Sequence, residues 1–303
     1  MPETKATGMS DNSVSQIPDP DRMMAELRSM RKTWAKKETI GKRSLIPREG
    51  KKPVQVIIYR PKEKTDDNPL PVFINMHGGA WIGGDAVLME SFCQMLADKL
   101  PAFVVNVNYT KADEEPLPYA HEEAADTVRY FASHAAEYGV DPLKIMVGGH
   151  SAGANLAAGA ALMLKEEGFP LFAQILVYVA ADLTHSEGTE IDGLTQFLFP
   201  NGGESDPVIS PGAQPVEKLK GLAPALFVIC GKDSLRPGCI SYACKLIEAG
   251  VPVKTKEYPD AEHGFLEVNR PDYEQEDPRK TKEQEQYTRD CEEWLVREIR
   301  AML

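Results

Sequence analysis

The sequence predicts an α/β fold in which a mostly parallel, eight-stranded sheet is flanked by helices. Three observations predict it. Short apolar runs suited to buried strands alternate with helix-like stretches along most of the chain, the order that builds a parallel sheet with helices on its faces. The turns richest in chemically useful residues follow strand-like runs, and open parallel sheets place their sites at strand C-termini. A length of 303 residues suits one domain of this class.

Residues 1–18 are polar, and a flexible tail is expected there. Residues 20–37 mix apolar and charged residues at a spacing suited to an amphipathic helix. Strand candidates at 42–46 and 53–60 are joined by Pro47-Arg48-Glu49-Gly50-Lys51-Lys52-Pro53, a turn signal, so they read as a hairpin. A charged loop over 61–71 follows, then strands near 71–76, 102–108, 143–149, 172–180, 225–231 and 252–258. Helix-like stretches lie near 86–99, 119–138, 151–167 and 236–249. Residues 183–224 break the alternation with glycines and prolines around Ile191, Leu194, Phe197, Leu198 and Phe199. At the end, Tyr287, Cys291, Leu295, Ile299 and Met302 recur at helical spacing, which predicts a helix docked on the sheet.

Composition narrows the function classes. With 34 basic and 46 acidic residues the net charge is −12, which opposes binding to nucleic acid or to an anionic membrane. The five cysteines are odd in number and form no C-x-x-C, a usage expected of reduced thiols inside the cell. No metal-ligand cluster is apparent. The N-terminus lacks the apolar core of a signal peptide, and no apolar run approaches the length of a membrane span. A cytoplasmic protein is therefore expected. A homodimer is compatible with the sequence, which carries no repeat or heptad that would fix a partner.

Gly149-His150-Ser151-Ala152-Gly153 fits G-x-S-x-G, the sharp strand-to-helix turn that exposes a nucleophilic serine. The apolar run Lys144–Gly148 precedes it, and a stretch rich in helix formers, Ala154–Leu164, follows. The small neighbours tolerate the turn, and the helix N-terminus favours developing negative charge. A second strand, Pro71–Met76, ends in His77-Gly78-Gly79-Ala80-Trp81. Glycines there let backbone N–H groups converge on an oxyanion. The expected donors are Gly78, Gly79 and Ala152. Trp81 and Phe265, with Ala80 beside them, are candidates to line a substrate pocket, although a Trp or Phe in such a place is as often core.

A serine hydroxyl needs a base, and the base needs an orienting acid. Of six histidines only His185 and His263 follow Ser151. His263 lies directly after a late strand and is the expected base. His185 reads as a solvated loop residue, His121 and His134 as surface residues, and His150 as the variable position of the turn. Asp233, in Gly231-Lys232-Asp233-Ser234 after the apolar run 225–231, is the expected acid. Asp182 is the runner-up, and Asp206 and Asp260 are weaker candidates.

These motifs resemble the hormone-sensitive-lipase-like group of α/β-hydrolase-fold esterases over roughly Pro71 to Phe265. His77–Trp81 is similar to its HGGG loop, Gly149–Asn155 to its GDSAGGN turn, Asn108-Tyr109 with Glu115-Pro116-Leu117-Pro118 to its Tyr-Arg-Leu-Ala-Pro-Glu segment, and Tyr258–Phe265 to its His-Gly-Phe ending. His150 departs from the usual aspartate, and Ala80 and Ala154 from glycines. The resemblance implies a carboxylesterase acting on small or medium acyl esters through Ser151, His263 and Asp233, with no cofactor and no metal. It also implies a small cap built from residues 19–40 and 183–222 of a single domain spanning 19–303. His77-Gly78-Gly79-Ala80-Trp81 resembles the HGGxW loop of kynurenine formamidases as well, which keeps an amide hydrolase open. A lactone hydrolase or acyltransferase on the same three residues, and a non-catalytic small-molecule receptor of the same fold, are the remaining alternatives.

Overall fold

The computed structural model describes residues 20–63, 68–185, 191, 193–271 and 273–303; the expected tail at 1–18 and part of the expected cap lie outside them. Among the described residues eight strands occur: β1 (Lys42–Ile46), β2 (Val54–Tyr59), β3 (Leu70–Met76), β4 (Phe103–Asn108), β5 (Val140–His150), β6 (Ala173–Val177), β7 (Ala225–Lys232) and β8 (Val253–Glu262). They form one sheet in the order β1-β2-β4-β3-β5-β6-β7-β8. β1 and β2 make the expected antiparallel hairpin, and β2 is also antiparallel to β4. All later pairings are parallel.

The helices are α1 (Pro20–Trp34), α2 (Glu90–Lys99), α3 (Tyr119–Ser133), α4 (Ala135–Tyr138), α5 (Ala152–Glu166), α6 (Thr195–Leu198), α7 (Val216–Leu219), α8 (Arg236–Glu248), α9 (Phe265–Val268) and α10 (Lys282–Met302). The pleat of β3 divides the core. Val72, Ile74 and Met76 join one apolar cluster with α3, α5 and α8, while Phe73 joins a second with α2 and α10. Helix α10 docks as its spacing predicts, burying Cys291, Trp294, Leu295, Val296 and Ile299. Among the described residues no helix is long and apolar enough to cross a membrane.

Several elements differ in their bounds from the sequence expectation, β5 beginning at Val140 and α1 ending at Trp34 among them. The strand expected over 172–180 stops at Val177, because Tyr178 turns into the left-handed region at φ 37°. The helix expected over 119–138 divides at His134, whose ring stacks on Tyr130 at 4.2 Å. The last strand runs on to Glu262.

The two segments expected to form a cap are both tied to the domain. In α1, Arg31 grips both carboxylate oxygens of Asp113 at 2.7 and 2.8 Å, and Arg28 adds a third bond at 2.9 Å. Across the irregular segment, Ile191, Leu198, Phe199, Ile209, Leu219 and Leu222 are buried in the first core cluster. Leu117 N–H donates to Leu198 O at 3.0 Å and Asn155 Nδ2 to Ile209 O at 2.8 Å.

Candidate active site

β5 delivers Ser151 through a turn with almost no spare volume. A Cβ on Gly149 would lie 2.5 Å from Met76 O and from Gly153 C, so only glycine fits. Ser151 adopts φ 54°, ψ −117°, a backbone state that costs about 1–3 kcal/mol and persists only under strong constraint. One constraint is visible: Ser151 N–H is spent on Val177 O at 2.9 Å, in line with the β5–β6 ladder. The following residue, Ala152, opens α5, whose first N–H groups have no acceptor within the helix.

β7 and β8 bring two more groups to the serine. His263 Nε2 is 2.8 Å from Ser151 Oγ, and His263 Nδ1 is 2.8 Å from Asp233 Oδ2. An ionised carboxylate only accepts, so Nδ1 carries the proton and Nε2 offers its lone pair to the serine hydroxyl. Asp233 Oδ1 accepts from Leu235 N–H at 2.8 Å, which fixes the carboxylate plane; its side chain is 2 % exposed. Arg279 donates to the carbonyl of His263 at 2.6 Å and is itself held by Asp277. The other candidates lie elsewhere. Asp182 binds Thr184 and its neighbour His185, which is exposed; Asp206 caps its own turn; Asp260 pairs with Lys232.

The loop after β3 curls back tightly. Gly79, Ala80 and Trp81 have φ of 127°, 50° and 61°, and Gly79 O accepts from Gly83 N–H at 2.7 Å. A Cβ on Gly79 would lie 2.6 Å from Gly83 C and O. Polar side chains hold this loop from below. His77 Nδ1 is 2.7 Å from Gly78 O, and His77 Nε2 is 3.2 Å from Lys111 Nζ. An ammonium only donates, so Nε2 accepts and Nδ1–H donates to the Gly78 carbonyl. That carbonyl shares a peptide plane with the Gly79 N–H, so its anchor also aims the N–H. Tyr109 stacks on His77 at 4.3 Å and its hydroxyl donates to His77 O. Burial and the Lys111 charge hold His77 well below the usual imidazole range, so it is neutral. Lys111 is brought down to about 8, chiefly by burial; it donates to Tyr109 O at 2.6 Å and Asn108 Oδ1 at 3.2 Å. Below these, the register partners Asn75 and Asn106 bond at 2.9 Å, and Asn106 reaches Ala86 O.

The structure thus brings Ser151, Asp233 and His263 together; Ala152 follows the serine in the chain, and a Cβ on Gly78 would lie 3.7 Å from Ser151 Cβ. The pocket candidates separate. Ala80 stays partly exposed, whereas Trp81 and Phe265 are fully buried and belong to the core clusters, Phe265 packing between Tyr178 and Tyr258. His121, expected at the surface, is fully buried: it faces α5 from the first turn of α3 and meets Asn155 Oδ1 at 2.9 Å. Four further groups at the site gave no usable sequence signal: Lys111, Tyr178, Glu267 and Arg279. Glu267 meets His150 Nδ1 at 3.0 Å and accepts from Tyr178 Oη. Burial works to raise its carboxyl, but the imidazole and the two hydrogen bonds prevail and bring it to about 2.

This geometry has relatives. A sequence profile described as the alpha/beta hydrolase fold matches residues 73–267, and the chain belongs to that family. Its relatives put it in the hormone-sensitive-lipase-like esterase group. It is 31% identical over 269 residues to carboxylesterase NlhH of Mycobacterium tuberculosis, covering 84% of this chain and 80% of that protein. It is 31% identical over 230 residues to esterase LipI of the same organism, covering 71% of each. Among solved structures, an esterase of the archaeon Pyrobaculum calidifontis superposes with a TM-score of 0.75 at 27% identity, over 93% of this chain and 92% of that one. A thermostable esterase of Pseudomonas putida gives 0.77 at 27%, over 94% and 90%.

Proposed function

We propose that the protein is a carboxylesterase in which Ser151 is the nucleophile, His263 the general base and acid, and Asp233 the group that orients and stabilises the imidazole. Ser151 Oγ attacks the ester carbonyl as its proton passes to His263 Nε2. The oxyanion is held by N–H groups of Gly78, Gly79 and Ala152. The alcohol departs with the proton from His263, leaving an acyl-serine. Water then attacks that ester by the same route and releases the acid. The single observation behind this reading is the imidazole bridging Ser151 and Asp233 at 2.8 Å on each side. The substrates are small or medium acyl esters.

Helix α1 serves as a cap over the oxyanion loop. Leu27 Cδ2 lies 3.5 Å from where a Cβ of Gly83 would stand, and Gly83 is bonded to Gly79. A cover of this kind excludes water and shapes the acyl site.

The test is hydrolysis of p-nitrophenyl butyrate, corrected for background. Wild-type turnover should fall by about 10⁶-fold in Ser151→Ala, the scale of losing a serine nucleophile. Turnover that survives the substitution would remove Ser151 from the mechanism. Turnover of N-formylkynurenine far above that of simple esters would turn the reading to an amide hydrolase.

A further inference from the structure

The position before the serine departs from the turn that the sequence resembles: His150 stands where an aspartate is usual. His150 is almost fully buried. Its Nε2 has no hydrogen-bond partner among the described residues, so the ring is held by the bond from Nδ1 to Glu267 Oε1 at 3.0 Å and by edge contacts with Phe92 and Tyr178. Glu267 in turn borders three loops. It lies on α9, four residues beyond His263. Its Oε2 accepts from Tyr178 Oη, at the strained end of β6. Its Oε1 would be 3.3 Å from a Cβ on Gly78, and that same point is 3.7 Å from Ser151 Cβ. The carboxylate is thus wedged between the serine turn and the oxyanion loop.

We propose that His150 and Glu267 form one positioning pair, a hydrogen-bonded strut that sets the separation of Ser151 from the Gly78–Gly79 backbone. The proposal rests on the serine-esterase reading above. Neither residue touches substrate; both act through the placement of the nucleophile and the oxyanion donors. An error of a fraction of an ångström at those atoms reduces kcat with little effect on substrate binding.

The stereochemistry offers a discriminating set of variants. The Oδ1 or Nδ2 of an Asp or Asn side chain occupies nearly the place of a histidine Nδ1. His150→Asn therefore keeps a donor toward Glu267, whereas His150→Asp sets two carboxylates about 3 Å apart, which repel. In His150→Asp/Glu267→Gln the amide restores a donor–acceptor pair with reversed roles. On p-nitrophenyl butyrate, His150→Asp should lose about 10- to 100-fold in kcat, the range of coupling between contacting groups, with KM within about threefold. His150→Asn and the double variant should each recover most of that loss. Should His150→Asp fail to fold, Glu267→Ala against Glu267→Gln makes the same comparison, with Ala removing the strut and Gln keeping it. Ser151→Ala is measured alongside. A double variant no more active than His150→Asp, or a loss confined to KM, overturns the strut while an inactive Ser151→Ala leaves the serine mechanism standing. An active Ser151→Ala overturns both.

Discussion

On one side of Ser151, His263 turns one ring nitrogen to the serine and the other to Asp233, and these partners fix a tautomer. On the other side, His77, Tyr109 and Lys111 lie beneath a loop whose proposed contribution is backbone N–H donors. Polar side chains are buried on both sides, but for different ends. Near β7 and β8 they are the proposed base and its orienting acid. Near β3 they are a scaffold, and one of them, His77, is held neutral so that it can hold a carbonyl. The difference teaches that a buried histidine beside a nucleophile is not thereby a base: its partners decide. His263 faces a carboxylate and a hydroxyl, while His77 faces an ammonium and a peptide carbonyl.

That division can be broken by experiment. The largest expected effect is on the side of β7 and β8. Asp233→Asn keeps the shape but favours the wrong tautomer, and kcat should fall by about 10⁴-fold with thermal stability nearly unchanged; a loss under tenfold would show that the carboxylate does not orient His263. On the scaffold side, Gly79→Ala must move the loop away from Gly83, and removal of one oxyanion donor costs about 10²–10³ in kcat. An alanine variant with normal kcat would place the donors elsewhere.

Lys111 sharpens the contrast through pH. Its ammonium is brought down to about 8 from 10.5, chiefly by burial. Between those values the unfolded chain binds a proton that the folded protein does not, so stability rises with pH across the window. Measured by urea unfolding against Lys111→Met, which does not titrate there, the wild type should gain up to about 3 kcal/mol between pH 8 and 10.5. A difference flat with pH would mean that the ammonium is not desolvated in the folded state. The smallest effect concerns α1. Arg31→Ala leaves Asp113 with Arg28 alone, and the melting temperature should fall by about 3 °C, in line with about 1 kcal/mol. Removal of residues 1–35 should change kcat or acyl preference; identical kinetics would remove α1 from the site.

The three side chains at the serine are legible in the sequence, and the buried polar groups beneath the loop after β3 are not. Ser151, Asp233 and His263 each follow a strand-like run in the expected order, and such punctuation survives in one dimension. Gly78 and Gly79 were legible for a similar reason, because two glycines after an apolar run mark a special backbone. Lys111, Glu267 and Arg279 are ordinary charged residues until the fold sets them against a carbonyl or an imidazole. The spacing puts His121 at the surface, whereas α3 buries the face toward α5 on which it lies, its ring meeting Asn155 Oδ1. The early end of β6 had no local signal either, since a positive φ at a tyrosine follows from packing and not from propensity.

The contact between His150 and Glu267 narrows what position 150 can hold. Codons for histidine and aspartate differ by a single base, so His150→Asp is one mutational step. An aspartate there would set a like charge about 3 Å from Glu267, a pairing that forces one carboxyl to take up a proton. If the pair acts as proposed, that single step is harmful while Glu267 is present, and a residue more than a hundred positions away limits the choices open to the serine turn.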